Sequence, residues 1–143
     1  MLRAEALMRL VLRLLGYLWC LPLTLAGLVV AVLGGAVYQF TRDGAMVWGT
    51  VPTSLLERWF FVPFRAAAFT WGGVIIVAYE EDFSSRLIAH EHRHFQQAMV
   101  FGPLMPLVYL ACSAWAWVRG KRPYFDNALE RDAQLYEYRG RVE

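Results

Sequence analysis

Residues 14–38, LLGYLWCLPLTLAGLVVAVLGGAVY, form a run of 25 without a charged side chain. That exceeds the roughly 20 apolar residues a helix needs to cross a bilayer. Pro22 falls early in the run, where it can kink a span without abolishing it. Gly27, Gly34 and Gly35 offer places where another helix can approach closely. A cleaved signal peptide would use the same features. Arg3, Arg9 and Arg13 would be its basic n-region, and Gly34-Gly35-Ala36 its small-residue cleavage site. The apolar run is longer than a usual h-region, so the expectation is a retained anchor.

Composition points the same way. Of 143 residues, 58% are hydrophobic and only 18% charged, an excess that must face lipid or a partner. The length suits one domain. A scattered formal charge of +2 gives no nucleic-acid surface. Aromatic residues are frequent, and Trp115 and Trp117 read as interface anchors. Cys20 and Cys112 lie in apolar stretches without a CxxC or CxxH partner. They read as small hydrophobes rather than as a metal knuckle or a disulfide.

A basic head (1–13) and the anchor (14–38) precede a region, 39–143, that reads as one small domain. Gly and Pro within 39–83 rule out one long helix there. Phe69-Thr70-Trp71 and Val74–Tyr79 look like strands, joined by a two-residue turn at Gly72-Gly73. Ser54–Phe61 reads as a short amphipathic helix, broken at Pro63. Ser84 or Ser85 is the expected N-cap of the next helix, which runs to about Val100 and ends at Gly102-Pro103. The apolar run 103–118 contains Pro103 and Pro106, is short for a crossing, and closes on Arg119, Lys121 and Arg122. Asp126 or Asn127 then caps a last polar helix over 128–139. There is no internal repeat. The expected fold class is mainly α with a small β-hairpin (α+β).

Residues 90–94 read His-Glu-His-Arg-His, an HExxH that holds every histidine of the chain. On a helix His90 and His94 share one face, one turn apart, where two imidazoles can bind one zinc. Glu91 lies beside that face, placed to act as the general base of zinc hydrolysis. His92 points away and reads as a solvated histidine. Gln97 reads as a residue behind the ligands or in the core. The bland alternative for the whole motif is a charged, exposed helix face.

A hydrolytic zinc usually has three protein ligands. With no histidine left, the third must be a carboxylate. Glu130, in Asn127-Ala128-Leu129-Glu130-Arg131-Asp132-Ala133, is the best placed. The same residues also fit a capping box, with Asn127 as N-cap and Glu130 at N3, which needs no metal.

HEHRH followed by a separate helix with Glu130-x-x-Ala133 resembles the gluzincin zinc metallopeptidases, whose third ligand is such a glutamate. The Glu130-Arg131-Asp132-Ala133 element is most similar to the integral-membrane, HtpX-like branch. The small size resembles the minimal gluzincins, which keep two zinc helices and a small sheet. The resemblance covers about residues 66–139 and leaves the anchor outside. It implies Zn2+ held by His90, His94 and Glu130, with Glu91 as the base. It also implies that the 74–79 strand is the cleft edge that pairs with an extended substrate. The chain departs from the pattern at Gln134, where those families commonly carry an Asp that orients a ligand histidine. No motif places the oxyanion-stabilising residue; Tyr136, Tyr138 and Arg139 are available.

Three N-terminal arginines favour a cytoplasmic N-terminus. A crossing by 103–118 would then separate Glu130 from a HEHRH helix outside the bilayer, and one zinc cannot take ligands from both sides. The Pro-broken run is therefore expected to return to the side it left, as a re-entrant or interfacial segment packed on the anchor. Two functions fit. One is a membrane-anchored zinc metallopeptidase of a prokaryotic-type inner membrane, partnered by lipid and a peptide or protein substrate. The other is a catalytically inactive, zincin-like small membrane protein, a structural or accessory subunit of a larger membrane complex. Gln134, the small size and the exposed apolar surface support the second. Neither involves nucleic acid.

Overall fold

The computed structural model describes residues 2–32, 35–41, 44–50, 67–78 and 84–139. Among them the chain is mainly helical, with one small mixed sheet. Helix α1 (Leu2–Val32) takes in the basic head and most of the uncharged run, with Pro22 inside it. The helix stops before the run does. Strand β1 (Gly35–Phe40) begins at Gly35, and its Val37, Tyr38 and Phe40 are residue types that favour extended backbone. The uncharged segment 14–38 is thus not one continuous helical anchor.

The expected hairpin is half of a larger sheet. β1 pairs antiparallel with β2 (Met46–Thr50), β2 parallel with β4 (Val74–Val77), and β4 antiparallel with β3 (Ala68–Trp71). The order is β1-β2-β4-β3. Gly72 makes the β3–β4 turn at φ 59°, a conformation open to glycine. β4 reads Val-Ile-Ile-Val, is buried along its whole length, and lies between β2 and β3. A continuous apolar run of this kind marks a strand covered on both faces. The edge of the sheet beside the site is therefore β3, not residues 74–79 as the resemblance implies. Tyr79, the helix expected at 54–61 and Pro63 lie outside the described residues.

Helix α1 is built into the domain. Its Thr24 Oγ1 accepts the Gly73 N–H at 2.9 Å and donates to the Cys20 carbonyl at 3.0 Å. A Cβ on Gly27 would lie 2.8 Å from the Trp71 Cβ, so only glycine allows this approach. Cys20 and Ala31 are buried, while Leu7, Leu14, Leu18, Leu25 and Val29 face outward. Two stretches, Ala4–Val32 and Ser85–Val118, are long and apolar enough to cross a membrane.

The second stretch is not straight. It comprises α2 (Ser85–Phe101), a 3₁₀ turn (Gly102–Leu104) and α3 (Met105–Val118). Ser84 caps α2, its Oγ accepting the Leu87 N–H at 3.1 Å. Gly102 has φ 55°, and the indole of Trp19 from α1 sits 2.4 Å from where its Cβ would be. His90 and Tyr109 both approach one residue, Glu130. A straight helix would hold them roughly 28 Å apart along its axis. The chain folds back at the Gly102–Leu104 turn.

Helix α4 (Ala128–Arg139) then packs along α2. Asn127 caps it: Oδ1 accepts the Leu129 N–H at 2.9 Å. The Asn127 amide also donates to the Tyr109 carbonyl (3.1 Å) and to Ser113 Oγ (2.8 Å), which ties the start of α4 to α3.

Candidate metal centre

The four-residue spacing on α2 puts His90 and His94 on one face, with ring centroids 4.9 Å apart. Helix α4 brings Glu130 to that face. Its Oε2 lies 3.3 Å from His90 Nε2, and its Oε1 lies 3.4 Å from His94 Nε2. Ligand atoms of all three residues fall within 4.8 Å of one another. Bonds of about 2.0–2.1 Å at a tetrahedral angle separate neighbouring ligand atoms by roughly 3.3–3.4 Å. Each imidazole nitrogen thus stands at that spacing from one of the two Glu130 oxygens, Oε2 for His90 and Oε1 for His94.

The hydrogen bonding fits a cation as well. Glu130 Oε1 accepts from the Tyr109 hydroxyl at 2.7 Å, while Oε2 is buried without a hydrogen-bond partner. A buried carboxylate with one oxygen toward each of two imidazole nitrogens, one of those oxygens lacking a donor, is a group that could hold a divalent metal. Burial alone would raise the Glu130 carboxyl. The adjacent His90 and His94, with the Tyr109 hydroxyl, outweigh burial and hold it well below the usual carboxylate range. The capping box does not form. The Asn127 N–H bonds to the Tyr124 carbonyl at 3.1 Å, and Glu130 turns to the histidines instead.

The motif is not a solvated face: Glu91 is 6% exposed, His94 8% and Glu130 3%. The Thr70 hydroxyl, on the edge strand β3, lies 2.6 Å from Glu91 Oε2 and 3.1 Å from the Glu91 carbonyl. Glu91 and His90 open onto a cavity of about 270 Å³, bordered also by Ala68, Arg86, Tyr124 and Glu137. Tyr124 is pushed up to about 12, by burial first and then by the Glu130 and Glu91 carboxylates. Its phenol therefore stays a donor at the cavity wall at neutral pH. Tyr136 lies elsewhere, against His92 and Arg93, and Tyr138 is exposed. The Arg139 side chain is outside the described residues.

Behind the two histidines and Glu130 lies a set of contacts that no sequence motif announces. His94 Nδ1 is 2.9 Å from Gln97 Oε1. Gln97 Nε2 donates to the Leu129 carbonyl (3.1 Å) and to Asp132 Oδ2 (2.8 Å). Arg93 grips the same Asp132, Nε to Oδ2 at 2.7 Å and Nη2 to Oδ1 at 3.2 Å. That hydrogen bonding holds the Asp132 carboxyl below its ordinary range against a smaller effect of burial. His90 Nδ1 lies 3.5 Å from Glu137 Oε2, and Glu137 is paired through its other oxygen with Arg86. Glu137 stands seven residues after Glu130, two turns along one face of α4, a spacing that points to it. His92 is half-buried, its ring 6.0 Å from Phe95 on its own helix and 6.3 Å from Tyr136 on α4. It is not the solvated histidine expected from the helical wheel. Both cysteines are free thiols.

Comparison with known protein families, with curated proteins and with solved structures finds no match to this chain.

Proposed function

We propose that this chain is a membrane-associated zinc metallopeptidase of the gluzincin type. His90, His94 and Glu130 hold the metal, and Glu91 is the general base. One observation carries the reading: three ligand atoms from two helices converge within 4.8 Å around a buried carboxylate. When bound, zinc supplies Lewis acidity, which polarises a scissile carbonyl and lowers the pKa of water toward about 7.

The chain's own residues supply the rest. Glu91 takes the proton of the attacking water and returns it to the leaving amine. Thr70 fixes the Glu91 carboxylate through its hydroxyl. β3 is the terminal strand of the sheet, and its backbone edge beside the cavity can pair with an extended peptide. Tyr124 provides a hydroxyl donor on the cavity wall for charge that develops on the carbonyl oxygen. The outward faces of α1 and α3, with Trp115 and Trp117, lie in lipid, and the N-terminal arginines hold the N-terminus in the cytoplasm. Helix α3 rises only roughly 21 Å, short of the ~30 Å hydrocarbon core, and re-enters the side it left.

The test is zinc analysis and a peptidase assay on purified wild-type protein and Glu91→Gln. Both proteins are expected to hold about one zinc per chain. The mutant should lose about 10²–10⁴-fold in turnover, as expected for a lost general base. Undiminished cleavage by Glu91→Gln refutes the mechanism. A wild-type protein that binds zinc, hydrolyses no peptide and copurifies with a membrane complex supports the accessory-subunit reading instead.

A further inference from the structure

The zinc reading leaves open which nitrogen of each imidazole faces the metal. We infer that Gln97 sets the tautomer of His94, and that Asp132, clamped by Arg93, sets the orientation of Gln97. The inference rests on the proposed metal site and adds positioning residues to it.

The argument is one of donor counting. A glutamine amide has two N–H donors and one acceptor oxygen. Gln97 Nε2 faces the Leu129 carbonyl at 3.1 Å and Asp132 Oδ2 at 2.8 Å. Neither group can donate: one is a main-chain carbonyl, the other an ionised carboxylate held by Arg93. Both N–H groups are therefore committed. Turning the amide over would set its oxygen against two acceptors and break both bonds. Gln97 is 5% exposed, so the lost partners would leave unsatisfied buried groups.

Gln97 Oε1 must then face His94 Nδ1, 2.9 Å away. A carbonyl oxygen only accepts, so Nδ1 carries the proton. His94 Nε2 is left with its lone pair directed at the space beside Glu130 Oε1, 3.4 Å away. Two acceptors face each other there, an arrangement that favours a cation between them. The relay starts on α2 at Arg93, crosses to Asp132 on α4, and returns to α2 through Gln97. It joins the same two helices that supply the ligands. His90 has a looser partner, Glu137 at 3.5 Å, and serves as an internal comparison.

The experiment uses the full chain in detergent micelles with isotope-labelled histidine. Only three histidines are present, so long-range proton–nitrogen correlations resolve each ring. At mildly alkaline pH, His94 is expected to carry its proton on Nδ1 both without zinc and with zinc added. Gln97→Leu should lose that preference and weaken zinc binding about 10–100-fold in a chelator competition, with the helical circular dichroism unchanged. Gln97→Glu alone should bind zinc poorly, because two carboxylates then face each other. Combining it with Asp132→Asn should restore part of the lost affinity: the new carboxylate accepts from His94 Nδ1 and from the new amide, while one of its oxygens still faces the Leu129 carbonyl. A restored double variant also meets the case in which Gln97→Leu fails to fold.

A wild-type protein that binds zinc with His94 protonated on Nε2 overturns the relay alone. So does wild-type zinc affinity in a folded Gln97→Leu. A wild-type protein that binds no zinc, yet holds the His94 proton on Nδ1, supports the relay and overturns the metallopeptidase reading.

Discussion

Tyr109 donates its hydroxyl to Glu130 Oε1 at 2.7 Å, from beyond the reversal that separates α3 from the HEHRH helix. The bond ties the fold-back at Gly102–Leu104 to the candidate metal site. A hydrogen bond to a charged group contributes about 1.5–3 kcal/mol. Tyr109→Phe should therefore lower both thermal stability and zinc affinity, the latter by about tenfold. Chelator competition and a thermal melt on one preparation check this. An unchanged affinity would mean that Glu130 is held without Tyr109.

The roles of Glu130 and Asn127 separate by substitution. Asn127 caps α4 alone, through the Leu129 N–H, and Glu130 takes no part in capping. Glu130→Gln should leave helical circular dichroism intact and abolish tight zinc binding, because a neutral amide is a poor substitute for a carboxylate ligand. Asn127→Ala should do the reverse in emphasis. It removes the cap and the two bonds to α3, and costs about 0.5–2 kcal/mol for the cap alone. A Glu130→Gln protein that keeps full zinc occupancy would remove Glu130 from the site.

What the sequence makes legible follows from what is periodic. His90 and His94 share a face because a helix repeats every 3.6 residues, and Glu130 is the carboxylate that follows a capping residue on a polar helix. β1 is hidden because Gly35–Tyr38 continues the same uncharged composition as the helix before it. Thr70 and Tyr124 reach Glu91 and its cavity from a strand and a loop, at separations no local period relates. Asp132 escapes for a subtler reason. The resemblance draws the eye to position 134, whereas the carboxylate that meets Gln97 stands two residues earlier. The helix α1 misleads differently. Its glycines and Thr24 look like ordinary features of a lipid-facing helix, yet they seat it on the sheet.

Acid should expose the Arg93–Asp132 pair. The folded Asp132 carboxyl lies below its ordinary range because Arg93 hydrogen bonds to it. A depressed folded pKa stabilises fully above the unfolded value near ~4, and that stabilisation is lost as pH falls through the folded value. The stability difference between zinc-free wild type and Asp132→Asn should be constant from neutral pH down to about 5, then shrink as pH falls below about 4. Urea midpoints at a series of pH values measure it. A difference that grows on acidification would show that the pair is not what lowers the Asp132 carboxyl.

Gly102 and Gly120 give a paired test of the reversal. Both have positive φ, 55° and 69°, but Gly102, with ψ −136°, lies in a region essentially reserved for glycine, where a side chain costs about 1–3 kcal/mol before any contact is counted. Nothing lies near a Cβ at Gly120, whereas at Gly102 it would collide with the Trp19 indole. Gly102→Ala should thus destabilise well beyond Gly120→Ala. Trp19→Ala in the Gly102→Ala background should recover part of the excess. Equal effects of the two alanines would mean that α1 does not seat the reversal.

The last prediction concerns whether α1 can be replaced. A membrane anchor that only tethers a domain can be exchanged for any helix of similar length and hydropathy. Here Thr24 accepts the Gly73 N–H, Gly27 admits Trp71, Trp19 covers Gly102, and Cys20 is buried in the same core as Phe95 and Ile75. Exchange of Leu2–Val32 for an unrelated polyleucine-type span would leave the Gly73 N–H without its partner and would place bulky side chains where glycine is required. That combination of an unsatisfied buried donor and overpacking costs several kcal/mol on typical values. The chimera should still enter the membrane fraction, because hydropathy alone directs insertion. It should lose zinc binding and become sensitive to protease, since the sheet and the α2–α3 reversal lose their support. A chimera that binds zinc as tightly as the natural chain would show that α1 is a simple tether.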